Sequence, residues 1–407
     1  MVDLKENSIF ARSGIGGIKD VLEPLISIFS EAINEGATDI HIDPYDQGKH
    51  VRFRVDGVIH EKKPLPTSMR KRLLNQVKVL IDLDIDKSFV PEEGFVSLEV
   101  NGIQHDVRVT IVPVGDREAI HFRFLSSNFS LQGLGKIGMR HEDLEVVTHV
   151  IDAPYGMILV AGGTGSGKTT TLYSLANLMK QRNSIVTSIE DPVEFRLPHV
   201  RQLEVSEKHG FTMYDGLRVI LRMDPDVIVI GEIRDKQSAT TATRAGLSGQ
   251  LVMATIHARN PTMAVNALNN MEVPRYVIGG SLRLIIQQNL VLRVCKSCAK
   301  KVELTGQDRA LFDEHQVPAP QTVYEAVGCS ECNNYGHRGR IAVFELTRID
   351  QSLGQDIAAG IGIKTLFSRL ETMRNSTIVQ DVLYKVADGD VSLDAAKRFI
   401  GSLGDEP

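Results

Sequence analysis

The stretch GGTGSGKT, residues 162–169, follows the apolar run MILVA and constrains this chain more than any other feature. It fits G-x-x-x-x-G-K-[ST], a loop that works only between a strand and a helix. The glycines let backbone N–H groups turn toward phosphate oxygens where a Cβ would obstruct them. Lys168 supplies a cation for the β- and γ-phosphates and Thr169 a hydroxyl for Mg²⁺, and the helix that follows points its N-terminus at the anion. The candidate phosphate-binding residues are Gly162, Gly163, Thr164, Gly165, Ser166, Gly167, Lys168, Thr169 and Thr170. A chance Gly-rich turn is the bland alternative, and the strand before the loop weighs against it.

A strand–loop–helix of this kind belongs in a parallel sheet, and the runs MILVAGG, SIVTSIE, DVIVIGEI and QLVMATIH can supply one. Short continuous apolar runs suit strands covered on both faces, so this part of the chain is α/β. In DVIVIGEIRD (226–235) the run ends at Glu232, at the carboxyl end of a strand, where ligands sit in open α/β sheets. A carboxylate there polarises an attacking water or supports a metal shell, unless it is simply a solvated strand-end acid. SIEDPVEF (188–195) brings Glu190, Asp191 and Glu194 to a second strand end, although Asp-Pro alone reads as a loop start. His257, closing ATIH, is either a γ-phosphate sensor or a packed or capping residue, and spacing does not decide between them.

Upstream the pattern differs. Apolar positions from Ile18 to Ile33 recur at helical spacing, Val51, Phe53 and Val55 alternate with arginines, and Asp56-Gly57 forms a hairpin turn. A second helix is expected from Ser68 to about Leu83, then alternation through HDVRVTIVP and AIHFRFL. Residues 1–125 read as a small α+β domain, the Ser/Gly-rich 126–138 as a linker, and 139–407 as the ATP-site domain with a helical end at about 350–403. A chain of 407 residues accommodates these two domains. The net charge of −5 disfavours a general nucleic-acid binder. Neither a membrane-length apolar run nor a signal-peptide pattern is present, so the chain is expected in the cytoplasm, where thiols are kept reduced.

The four cysteines form two C-x-x-C pairs, Cys295/Cys298 and Cys329/Cys332, with thirty residues between them (299–328). Paired knuckles suit tetrahedral Zn²⁺ in a closed, structural site. A redox dithiol needs only one such pair, and a disulfide framework is out of place in a reducing compartment. The gap is longer than the usual zinc-ribbon spacing of about 15–20 residues. The cysteine segment spans about 291–340, and His337 reads as a surface residue, not a further ligand.

The segments ATDIHIDP, VRFRVDGV, PYGMILVAGGTGSGKTTTLYS, SIEDPVEF, LRMDPDVIVIGEIRD, LVMATIHARN and GCSECNNYGHRGRIAVFEL occur in this order across roughly residues 37–346. Together they resemble the GspE/PilB-type ATPases of type II secretion and type IV pilus assembly. The resemblance implies a PAS-like N-terminal domain, a RecA-like ATPase domain and a homo-hexamer with ATP between the domains. It further implies action on an inner-membrane platform protein, at the inner face of the cell membrane, with attachment through partners and no nucleic acid. On this footing Lys168 and Thr169 fall on Walker A, Glu190 and Asp191 on the Asp box, Glu232 on Walker B and His257 on the His box. Arg222 and Arg234 match arginines that are candidates for sensing or neutralising phosphate charge, within a subunit or across subunits, and Arg108 and Arg123 would reach a nucleotide after domain closure. The four cysteines match the tetracysteine segment that retraction motors generally lack.

Three departures stand out. Gln250 occupies a position where many relatives carry a further histidine, Phe95 stands where arginine is common, and the QRL stretch reads Gln288-Asn289-Leu290. The chain also begins almost at the PAS-like region, as a short form without the extra docking domain or as a truncation. A nucleic-acid translocase and a nucleotide-gated scaffold with little hydrolysis are the rival readings, the latter resting on Gln250.

Overall fold

The computed structural model describes residues 18–44, 51–63, 65–86, 89–100, 103–125 and 133–404. The expected linker falls largely on residues 126–132, outside the described residues. The chain divides into two units, 1–130 and 131–407.

In the first unit the elements run α1 (Ile18–Glu35), β1 (Ala37–Ile42), β2 (Val51–Val55), β3 (Val58–Glu61), α2 (Thr67–Leu80), β4 (Glu92–Val100), β5 (Ile103–Val114) and β6 (Arg117–Leu125). The strands form one antiparallel sheet in the order β3-β2-β1-β6-β5-β4. Asp56 and Gly57 both take positive φ, as a two-residue hairpin turn requires. The alternation read in the sequence sorts the sheet's faces. Ile40, Phe53, Val109 and Phe122 are fully buried in one core with Leu25 and Phe29 of α1 and Leu73 and Val77 of α2. Arg54, Asp39, Arg123 and Arg108 are cross-strand partners along one row of the sheet. Arg123 Nε donates to Asp39 Oδ1 at 2.9 Å and Arg108 Nη2 to Glu93 Oε2 at 2.6 Å. Burial would raise the Asp39 carboxyl, but bonds from His121, Arg123 and Thr38 outweigh it and hold the group well below the usual aspartate range.

The second unit begins with α3 (His141–Ile151), β7 (Gly156–Ala161), α4 (Lys168–Gln181), β8 (Val186–Glu190), β9 (Arg201–Glu204), α5 (Met213–Ile220), β10 (Val227–Ile230), α6 (Lys236–Leu247) and β11 (Leu251–Ile256). There follow α7 (Pro261–Asn270), α8 (Arg275–Ser281), β12 (Leu282–Val294), β13 (Lys300–Glu303), α9 (Gly306–Glu314), β14 (Thr322–Glu325) and β15 (His337–Arg348). Four helices close the chain: α10 (Gln351–Ala359), α11 (Ile363–Thr372), α12 (Ile378–Ala387) and α13 (Leu393–Leu403). The main sheet runs β15-β12-β7-β11-β10-β8-β9 and is parallel except for the β12–β15 pair.

Every residue of β7, β8, β10 and β11 is buried, which is why β7 and β10 read as unbroken apolar runs, while β8 also buries Thr187, Ser188 and Glu190 and β11 buries Thr255. One core packs the sheet against α5–α8 and α10, the other against α3 and α4. At about 1.5–3 kcal/mol for each fully buried aliphatic side chain, these two layers dominate the folding energy. The helices α8 and α10 touch backbone to backbone. A Cβ on Gly279 would lie 2.1 Å from the Gly354 carbonyl oxygen, and one on Gly354 2.5 Å from that of Gly279. The sheet also extends further than expected: β12 stays paired with β15 to Val294, three residues past the break read at Val291.

Candidate nucleotide site and metal cluster

The loop 162–167 leaves β7 at its carboxyl end and enters α4 at Lys168. Gly167 supplies the left-handed turn (φ 87°) that starts the helix. Lys168 Nζ donates to the carbonyl oxygens of Gly162 at 3.0 Å and Gly163 at 2.8 Å, so the ammonium lies over the loop. Burial draws the Lys168 pKa below the ordinary lysine value, and the Glu232 charge offsets part of that. Thr169 and Thr170 follow in the first turn of α4, both half-buried. Gln288 of β12 reaches across to the loop, donating from Nε2 to Ser166 O at 2.8 Å and accepting from Thr171 Oγ1 at 2.7 Å.

Glu232 follows β10, and its Oε2 accepts from Arg234 Nε at 2.6 Å. Arg234 Nη1 also lies 3.6 Å from Asp191 Oδ2, so one guanidinium spans the acids that end β10 and follow β8. His257, just past β11, has Nε2 3.4 Å from Thr164 Oγ1 and joins the loop from the side. The carboxyl ends of β7, β8, β10 and β11 thus bring together Lys168, Asp191, Glu232 and His257, on the side of an open α/β sheet where ligands sit.

Three further residues singled out in the sequence have other surroundings. Glu190 is only 2% exposed, and its carboxylate is enclosed by protein donors. Ser188 Oγ reaches Oε1 at 2.6 Å, Gln202 Nε2 reaches Oε1 at 3.0 Å, and the Tyr173 hydroxyl binds Oε2. Burial, then the Glu190 charge, push the Tyr173 phenol pKa upward and keep it a donor. Arg222 is exposed in the turn after α5, and among the described residues no side-chain hydrogen bond or ion pair ties it to the loop. Gln250 precedes β11, and its carbonyl accepts from Gly156 N at the start of β7. Spanning the six residues of β11, it lies about 23 Å from His257 at ~3.3 Å per residue step. The substitution there is at the amino end of β11, opposite the end that carries the phosphate loop, so within one chain Gln250 does not reach the phosphates.

Sequence reading missed Tyr173, Ser188 and Gln202, and noted Gln288 only as part of the QRL stretch, without its contacts to the loop. Only an alternating polar residue in an otherwise apolar run, as at Ser188, hints at such a buried bond.

The four cysteines converge from the two ends of the β13–α9–β14 excursion. All four sulfurs lie within 4.8 Å of one another, and Cys295 and Cys332 are buried. Sulfur separations are 3.8 Å for Cys298–Cys332, 3.8 Å for Cys329–Cys332 and 4.0 Å for Cys295–Cys329. A disulfide needs about 2.05 Å, whereas thiolates about 2.3 Å from a tetrahedral Zn²⁺ stand about 3.8 Å apart. The donor set fits that ion. Gly328 N donates to Cys298 Sγ at 3.3 Å, and Cys329 N and Gly336 N each donate to Cys332 Sγ at 3.2 Å. Burial pushes the Cys298 thiol up to about 12. At Cys332 burial pushes the same way, but the Cys329 and Gly336 N–H groups outweigh it and draw the thiol down to about 7. His337 is turned to Tyr335 O at 3.1 Å and Ser392 Oγ at 3.3 Å, outside the cluster.

Residues 17–398 match the family model described as "Type II/IV secretion system protein". The chain is similar to the type II secretion system ATPase E of Vibrio cholerae, 37% identical over 379 residues that cover 93% of this chain and 75% of that protein. It is also similar to the type IV pilus assembly ATPase PilB of Myxococcus xanthus, 34% identical over 371 residues covering 90% and 65%. Among solved structures, the ATPase DotB of Legionella pneumophila matches with a TM-score of 0.67 at 18% identity, covering 93% of this chain and 96% of that one. The pilus retraction motor PilT with bound ADP gives 0.59 at 24% identity, covering 94% and 97%. At such identities these two structures speak for the RecA-like fold alone.

Proposed function

Because this chain belongs to the type II/IV secretion system protein family and is an ATPase, we propose that it is the hexameric motor of a pilus, secretion or DNA-uptake assembly. It acts on an inner-membrane platform protein from the cytoplasmic side. No helix among the described residues is long and apolar enough to cross a membrane, which accords with attachment through partners. The first unit is read as the PAS-like domain, its antiparallel sheet backed on one face by α1 and α2. The acidic net charge favours a protein partner over nucleic acid.

The observation that carries the reading is the convergence of Lys168, Glu232 and His257 around one phosphate loop. The N–H groups of residues 163–168 and the Lys168 ammonium would hold the β- and γ-phosphates. Thr169 and Asp191 would hold Mg²⁺, which supplies charge neutralisation on the phosphates when bound. Glu232, steadied by Arg234, would orient and deprotonate the attacking water, and His257 would contact the γ-phosphate from the Thr164 side. Glu190, already saturated by Tyr173, Ser188 and Gln202, is assigned to holding the strand end in place and not to catalysis. Arg222 is left for a neighbouring subunit's site. The tetracysteine cluster would hold a structural Zn²⁺.

Phosphate release and nucleotide binding test this. Lys168→Ala is expected to lose nucleotide binding, and Glu232→Gln to bind Mg·ATP normally while turnover falls about 10²-fold or more. Wild-type turnover in Glu232→Gln would overturn the assignment of that carboxylate.

A further inference from the structure

β12 runs parallel to β7 with Gln287 opposite Ala161, so the next residue, Gln288, stands level with the first residue of the phosphate loop. Gln288 is 1% exposed, and both ends of its amide are engaged on the loop and on the first turn of α4, with Ser166 O and Thr171 Oγ1. The approach is close along the loop's length. A Cβ on Gly162 would lie 2.5 Å from the Gln288 carbonyl oxygen, and one on Gly167 2.8 Å from Gln288 Nε2. Real Cβ atoms essentially never come nearer than 3.0 Å to such atoms, so a side chain at Gly162 would force the Ser166 hydroxyl and the β12 main chain to shift, and one at Gly167 would displace the Gln288 amide.

We propose that Gln288 is a positioning residue for ATP binding: it clamps the phosphate loop to β12 and sets the direction of the loop N–H groups. The inference rests on ATP binding at this loop. Gln288 touches no phosphate itself. A loop already held in its binding geometry spares the ligand the cost of ordering it. The same N–H groups serve the ground state and the transition state, so loss of the clamp weakens both alike and raises KM without lowering kcat.

The test uses the full chain with Gln288→Met, which keeps the side-chain length without the amide, and Thr171→Val, which removes only the hydroxyl partner. Mg·ADP affinity is read by titration calorimetry, with KM and kcat for ATP and the melting temperature measured in parallel. Gln288→Met is expected to raise the Mg·ADP Kd and the ATP KM about tenfold, about 1.4 kcal/mol, with kcat within about twofold. Thr171→Val is expected to shift both constants in the same direction by less, and Thr171→Ser to restore them. Should Gln288→Met not fold, the Thr171 pair decides. Unchanged Kd in folded variants, a fall in kcat at constant KM, or a lower melting temperature with no change in either constant would overturn the clamp. Wild-type chain that fails to bind Mg·ADP would overturn the nucleotide site itself; wild-type binding with unaffected variants overturns only the inference.

Discussion

Asp381 and Lys385 sit one turn apart on α12 and are almost wholly buried, at 0% and 3% side-chain exposure. Asp381 Oδ2 accepts from Lys385 Nζ at 2.5 Å and from the backbone N–H of Phe344 in β15 at 2.7 Å. Asp381→Ala therefore strands a buried ammonium and orphans a buried amide at once. Breaking a buried pair from one side costs about 3–5 kcal/mol, and the orphaned N–H adds on the order of 1 kcal/mol. Residues 131–407 unfold with an entropy of roughly 0.6 kcal/mol/K, at about 2.1 cal/mol/K per residue, so the melting temperature should drop by about 7–10 °C. Calorimetric melts at pH 7 read the shift. Asp381→Asn keeps the acceptor for Phe344 but not the charge, and Lys385→Met removes the ammonium. Their double variant should recover about 2–3 kcal/mol relative to the sum of the singles, because no unpaired charge remains. Simple additivity of the two losses would refute the pairing as the source of the cost.

Two further outcomes follow from buried groups. Metal analysis should find about one zinc per chain, and Cys332→Ser should raise hydrogen exchange across 295–336 while β7, β10 and β11 stay protected; zinc-free protein equally protected across that segment would refute the metal site. Burial raises the Asp143 carboxyl above its ordinary 3.8, the Asn375 bond at 2.8 Å only partly opposing it. The folded chain therefore holds this proton more tightly than the unfolded one. That stabilisation is complete below 3.8 and disappears as pH rises through the raised value. Asp143→Asn should flatten the acid side of a melting-temperature–pH profile; an unchanged slope would refute the assignment.

The parallel strands were legible because burial on both faces keeps their runs mainly apolar, and the cysteine cluster because ligand spacing survives a long excursion between knuckles. Gln288 was not legible as a clamp. Its partners Ser166 and Thr171 are more than a hundred residues earlier in the chain, and a glutamine within QQNL carries no local mark of them. Glu190 read as one of a row of acids at a strand end, whereas its surroundings come from α4, β8 and β9, which meet only in the folded sheet. The Gln250 departure could have been placed without coordinates. A residue before a six-residue strand and one after it lie at opposite ends of that strand, so within one chain the two do not share a phosphate.

The backbone contact between Gly279 and Gly354 has a consequence for how this domain can change over generations. Either glycine, replaced by even an alanine, drives a methyl group into the other's carbonyl, and no second substitution at the partner position relieves it, because the obstructing atoms are main chain. The route from a glycine pair to any other pair therefore passes through a structure in which α8 and α10 have moved apart. Since α8 leads directly into β12 and α10 follows β15, such a separation would be felt by both strands of the antiparallel pair. The two positions are bound to each other as one inherited unit, and libraries that randomise this domain should return glycine at both or a repacked α8–α10 interface at neither.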